Sequence, residues 1–172
     1  MVGYMTLYDT LKTHAFVAGL TGAQICRLAE IAREANFEEN ELILKEGQQS
    51  KHFYLLLRGS VCVEARARSY TVCVQALNPG EAFGWSALLD HHDTLFGVHA
   101  RERSAALCFD AEDLLAVLKQ DPELAAEIYR RALALVAGRV QATETRLAEF
   151  CGMPAGGRSK ARLSPALLPL AP

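Results

Sequence analysis

Six short runs rich in Val, Leu, Tyr and Phe lie between residues 41 and 109, at 41–45, 52–57, 60–66, 70–77, 98–101 and 104–109. Turn formers punctuate them: Glu46-Gly47, Arg58-Gly59 and Asn78-Pro79-Gly80. No helical crossover separates the runs. Close-spaced strands of this kind fold as an antiparallel sandwich or jelly-roll barrel. The exception is residues 84–89, a short apolar helix that interrupts the strands.

Helical segments flank the strands. Leu7 and Leu11 stand at helical spacing. Thr21-Gly22-Ala23-Gln24 has the form of a capping box, and Ile25, Leu28, Ala29 and Ala32 follow on one stripe. This predicts an amphipathic helix ending near Asn36. After Phe109, Asp110 caps a helix through Leu114, Leu115 and Leu118. Asp121-Pro122-Glu123 then supplies an N-cap, a proline at the first helical position and an acid in the first turn. The helix it starts could run to Phe150, about 40 Å at ~1.5 Å per residue. The expected class is α+β: an antiparallel β-roll or jelly roll, flanked by N-terminal helices and a long C-terminal dimerisation helix. The segments are 1–36 (helical), 37–109 (roll), 110–150 (helical) and 151–172. The last is rich in Pro, Gly, Ala and Ser and reads as a disordered tail.

The long helix carries two apolar stripes. Tyr129, Leu133, Val136, Val140, Thr143, Leu147 and Phe150 recur at steps of four and three, a heptad seam. Ile128, Ala132 and Leu135 lie on another face, with Arg130, Arg131, Arg139 and Arg146 off the seam. A helix with two apolar faces needs two surfaces: the parent domain and a second copy of the helix. The competing arrangement is a helix that folds back onto its own barrel. A homodimer is the expected assembly, because so long a helix would outrun a small domain.

Cysteine usage is sparse and odd in number: Cys26, Cys62, Cys73, Cys108 and Cys151, with no C-x-x-C. Reduced thiols in a cytoplasmic protein are expected. A hairpin turning at Ala67-Arg68 would set Cys62 directly opposite Cys73. The formal charge of −2 gives no field for bulk binding of nucleic acid or anionic lipid. No apolar run reaches the ~18 residues of a membrane span, and residues 1–12 lack the pattern of a signal peptide.

Three stretches together resemble the cyclic-nucleotide-binding domain family, the sensor half of catabolite-activator-type regulators. They are residues 37–47, FEENELILKEG; residues 53–63, FYLLLRGSVCV; and residues 77–89, LNPGEAFGWSALL. The last is similar to the family's phosphate-binding cassette, and the resemblance spans about residues 8–150. It implies a stand-alone regulatory domain for signal transduction whose ligand class is a cyclic nucleotide, cAMP or cGMP, with no cofactor otherwise identified. The cassette positions are Gly80, Phe83, Gly84, Trp85, Ser86, Ala87 and Thr94. Gly80 and Gly84 permit tight backbone geometry. The N–H groups of Trp85, Ser86 and Ala87 would converge as an anion site, with the Ser86 hydroxyl as a further donor; the alternative is a tight turn into a core-packing helix.

The cassette departs from the family pattern at both charged positions. Where the family has a glutamate for the ribose hydroxyl, this chain has Trp85. Where it has an arginine for the phosphate, this chain has Thr94, or Asp93 if the gap shifts by one. Binding is therefore expected to be weak or altered. Arg101 and Arg103, on one face of a strand, could substitute as a clamp. Trp85 could cover the pocket or stack on a purine.

Other chemistry finds little footing. Asp90, His91, His92, Asp93 and His99 lack the H-x-H or H-x-x-x-H spacing of a metal site, and they read as a solvated loop. No Gly-x-Ser-x-Gly or other catalytic set occurs, so no enzyme is expected. Residues 151–172 are too short and proline-rich for a helix-turn-helix, so direct DNA binding is not expected. The alternatives are a ligand-free dimeric interaction module with an unknown protein partner, or the sensor part of a transcription regulator lacking its DNA-binding domain.

Overall fold

The computed structural model describes residues 6–66, 70–89, 93–94 and 96–152. The predicted tail from 153 onward, the Ala67-Arg68 turn and Asp90, His91 and His92 lie outside the described residues.

Helix α1 (Leu7–Lys12) and a 3-10 turn (Ala15–Val17) lead into α2 (Gly22–Ile31). The capping box forms as predicted: Gln24 N–H donates to the Thr21 hydroxyl, and Thr21 N–H donates to the Gln24 side chain. The helix ends five residues earlier than predicted. Residues Ala32–Phe37 form strand β1, paired antiparallel with the last strand from Ala32↔Phe109 to Phe37↔Ser104. Ala32 continues the helical stripe, and Arg33, Glu34 and Ala35 are good helix formers. Pairing along a free sheet edge outweighs that weak preference.

Strands β2 (Leu42–Leu44), β3 (His52–Arg58), β4 (Val61–Arg66), β5 (Thr71–Leu77), β7 (Gly97–Ala100) and β8 (Ser104–Asp110) fall on the six predicted runs, and β6 (Ala82–Phe83) is an unpredicted two-residue strand. They make two four-stranded antiparallel sheets, ordered β1-β8-β3-β6 and β2-β7-β4-β5. The run FYLLL of β3 is apolar at successive positions because both faces of its sheet are covered. Phe53 and Leu55 pack with the helices. Tyr54 and Leu56 face the second sheet and cluster with its Val61, Val63 and Val98 and with Phe83 of β6.

The β4–β5 register differs from the one predicted. Cys62 pairs with Ala76 and Glu64 with Cys73, with an irregularity between Val63 and Glu64. The bulge carries one extra residue on β5 and bends that strand. Cys62 and Cys73 are disulfide-bonded, with Cα atoms 6.0 Å apart, so these two are not the reduced thiols expected. Cys26, Cys108 and Cys151 are free.

After β8, Asp110 caps α3 (Ala111–Gln120), accepting from Glu112 and Asp113 N–H. Asp121 caps α4 (Pro122–Phe150), accepting from Leu124 N–H. Among the described residues no helix is long and apolar enough to cross a membrane. Helix α4 does not outrun its own domain. It packs along α3, the cassette turn and β5, burying Leu124, Ile128, Ala132 and Arg139. The adjacent face leaves Tyr129, Leu133, Val140, Leu147 and Phe150 exposed, with Val136 and Thr143 half-buried between them. Both arrangements expected from sequence therefore have a surface here: one face on the parent domain, and most of the heptad face exposed.

Candidate functional site

The cassette is positioned by glycine geometry. Strand β6 ends at Phe83, and Gly84 takes φ +78°, the left-handed region, before a four-residue 3-10 turn (Trp85–Leu88). A Cβ on Gly84 would lie 2.5 Å from the His52 carbonyl oxygen, so the site is closed to side chains as well as strained for them. Phe83 stacks on Tyr54 at 4.8 Å between ring centroids, fixing the β6 end against β3. The Tyr54 hydroxyl is pushed up in pKa chiefly by burial, with Cys108 beside it.

A pocket of about 40 Å³ opens beside this turn. Leu44, Val63 and Val98 supply strand side chains. Phe83, Gly84, Trp85 and Ser86 come from the cassette, Asp93, Thr94 and Phe96 from the stretch before β7, and Arg139 from α4. One buried water needs about 10–15 Å³. The free space thus holds roughly three waters or one oxyanion group, far less than a nucleotide.

Of the seven cassette residues singled out from sequence, Phe83, Gly84, Trp85, Ser86 and Thr94 line this pocket; Gly80 and Ala87 do not. Gly80 shapes a turn on the helix side. Its N–H donates to the Leu56 carbonyl at 2.9 Å, and its α-carbon faces Ala15. The same Leu56 carbonyl accepts from buried His14 Nε2 at 3.1 Å. Ala87 packs in the helix-side core. Its N–H donates to the Gly84 carbonyl at 3.0 Å, so it is not a free donor as expected. The element is one 3-10 turn, and it tightens so that the third amide closes on the glycine. Trp85 is half-buried between that core and the pocket. Ser86 is buried and lines the pocket.

Thr94, one of the two positions where the family resemblance expects an arginine, has a different task. It is buried, and its hydroxyl donates toward the carbonyls of Lys45 at 2.7 Å and Gln48 at 3.0 Å. Its N–H donates to Gln48 and its carbonyl accepts from Gly47 N–H. Thr94 is a cross-link between two loops.

Neither candidate substitute clamp reaches the pocket. Arg103 pairs with Glu38 at 2.8 Å on the surface, and Arg101 is exposed and absent from the lining. His99 Nδ1 lies 2.9 Å from the Glu64 carboxylate. Among the described residues no three His, Cys, Asp or Glu side chains gather as a metal site.

Sequence reading missed the apolar pocket residues Leu44, Val63, Phe96 and Val98 and, more consequentially, the cation Arg139. The signal was present: Ile128, Ala132, Leu135 and Arg139 continue one stripe at steps of four, three and four, with a cation where the pattern asks for an apolar residue. Arg139 is 8% exposed, and its Nη1 has no hydrogen-bond partner among the described residues. Burial pulls its pKa down, and the charge of Glu81 opposes the shift.

Residues 34–121 match the sequence profile of the cyclic nucleotide-binding domain family. Over 109 residues, 63% of this chain, the sequence is 25% identical to a Rhodopseudomonas palustris protein described as a candidate potassium channel protein; the chain spans about a quarter (26%) of that relative. Its structure is similar to a provisionally named cyclic nucleotide-binding protein from Geobacter metallireducens GS-15, with TM-score 0.67, 26% identity, and 77% of this chain and 96% of that one covered. It also shares its fold with the regulatory subunit of a cAMP-independent protein kinase A from Trypanosoma brucei, with TM-score 0.64, 19% identity, and 84% and 50% covered.

Proposed function

The chain belongs to the cyclic nucleotide-binding domain family, and we propose that it is a regulatory sensor module whose ligand recognition differs from the family pattern. In this reading it binds cAMP and cGMP only at millimolar concentration or not at all, and works as a cytoplasmic homodimer through α4 rather than as an enzyme.

The observation that carries this reading is the commitment of Thr94. Its hydroxyl already bridges Lys45 and Gln48, and Trp85 occupies the position of the ribose carboxylate. A nucleotide would forgo a bidentate charged contact of roughly 1.5–3 kcal/mol. It would also meet a pocket of about 40 Å³. That a protein of this fold from Trypanosoma brucei is described as cAMP-independent agrees with a fold that does not oblige cAMP sensing.

Calorimetric titration with cAMP and cGMP tests it. Millimolar or absent binding is expected. A micromolar dissociation constant for either would contradict the reading.

The dimer reading rests on the bare heptad face, where Leu133 is 68% and Leu147 62% exposed. An apolar seam with this spacing matches a second copy of the same helix.

A further inference from the structure

Among the described residues, Arg139 is the only lysine or arginine that is buried. Arg131, two turns earlier on α4, shows what a structural arginine does here. It donates to the Phe16 carbonyl at 2.7 Å and the Ala18 carbonyl at 2.9 Å, and it pairs with Glu127. Arg139 makes no such contacts among the described residues. Its Nη1 is buried without a partner among the described residues, and Arg139 lines the pocket together with Trp85 and Ser86. Glu81, whose charge acts on it, has its carboxylate engaged with Asn78 N–H at 2.7 Å. Asp93 also lines the pocket, but it is exposed, where solvent screens it.

An unpaired buried cation is costly to keep, and an apolar residue of similar volume would suit the stripe better. Retaining it makes physical sense where an anion completes it.

We propose that Arg139 is the anion-binding residue of this pocket and that it receives a phosphate-type oxyanion. The proposal rests on the reading of the pocket as a sensing site with altered recognition. It moves the ligand's charge partner from the cassette to α4. A guanidinium presents two parallel N–H donors to two oxygens of one phosphate. Ser86, with a hydroxyl able to donate, and Trp85 line the same pocket. The free volume suits an oxyanion group, supplied either as free phosphate or as the end of a small phosphomonoester. Because Val136 and Val140 flank Arg139 on the seam side of the same helix, a ligand that pulls on Arg139 acts directly on the dimer seam.

The test uses the full chain, with inorganic phosphate and glycerol phosphate as probes in calorimetry and thermal melts, against chloride at equal ionic strength. The parent should bind one or both probes saturably and melt higher with them; binding of glycerol phosphate alone would identify a phosphomonoester. Arg139→Met should weaken that binding about ten- to a hundredfold. Its unliganded melting temperature should be equal or higher, an outcome opposite to losing a structural arginine. Arg139→Lys should retain part of the binding, and it decides the matter should Arg139→Met fail to fold. A parent indifferent to both probes up to ~10 mM overturns the assignment and leaves weak cAMP binding standing. An unaltered phosphate response in Arg139→Met or Arg139→Lys overturns it as well. Micromolar cAMP binding retained in Arg139→Met overturns this assignment and the sensing reading together.

Discussion

Arg139 and Val140 are consecutive on α4, about 100° apart round the helix, and meet different surroundings: Arg139 is 8% exposed in the pocket wall, and Val140 is 50% exposed on the heptad face. One turn of helix therefore touches both the site and the seam. Whatever shifts α4 against the cassette turn also shifts the surface offered to a second copy.

The seam itself is the first thing to test. Val136→Glu with Val140→Glu places two like charges on each helix where apolar contacts are expected. The double variant should be monomeric by light scattering, with its secondary structure intact, while the parent is dimeric. A parent already monomeric at tens of micromolar would remove the seam from the account.

Thr94→Val keeps the shape and deletes the hydroxyl that donates toward Lys45 and Gln48. One shared hydroxyl hydrogen bond is lost while both carbonyls keep a backbone N–H partner, so the variant should be less stable by ~0.5–1.5 kcal/mol in urea unfolding. An unchanged midpoint would show that the hydroxyl does not bridge the loops. Thr94→Arg deletes the same hydroxyl, so restoring the family's arginine here also removes this cross-link.

His14 gives a pH dependence with a definite sign. Phe16 N–H donates to its Nδ1 and its Nε2 meets the Leu56 carbonyl, so the ring is neutral with the proton on Nε2. Burial lowers its pKa from the usual 6.5, against the opposing pull of the Leu56 carbonyl. The unfolded chain takes up this proton near pH 6.5, the folded chain only below it. In that window the unfolded state binds more protons. The contribution is complete above pH 6.5 and is lost as pH falls through the folded value. Stability measured from pH 7 to 5 should decline, and the decline should be shallower in His14→Gln. Parallel slopes for the two proteins would contradict this.

The Cys62–Cys73 bond closes a loop with a sequence separation of 11. Thiol titration of denatured, unreduced protein should find three thiols: Cys26, Cys108 and Cys151. Replacing both bonded cysteines by serine should lower stability by roughly 2–3 kcal/mol under oxidising conditions. Five thiols in the unreduced parent would refute the bond.

Legibility in the sequence followed how local each determinant is. Asp121-Pro122 starts α4 and Thr21 caps α2 because a cap is settled within four residues. The strands of β3 and β8 show as apolar runs because both their faces are covered. Ala32–Phe37 was hidden, since its strand state depends on β8, some seventy residues away. The bulge at Val63/Glu64, which breaks the predicted opposition of Cys62 and Cys73, has no local marker either. Within the site, the cassette was readable from its glycines. The committed amide of Ala87 and the task of Thr94 depend on how the turn closes and which loops meet. Arg139 lies 54 positions after Trp85, and nothing local ties the two together.

Trp85 is the chain's single tryptophan and lines the pocket, so its fluorescence reports occupancy of the site without a label. The most direct measurement is a titration of Trp85 emission with cAMP. The account predicts no saturable change below millimolar cAMP. A saturating change with its midpoint in the micromolar range would contradict it.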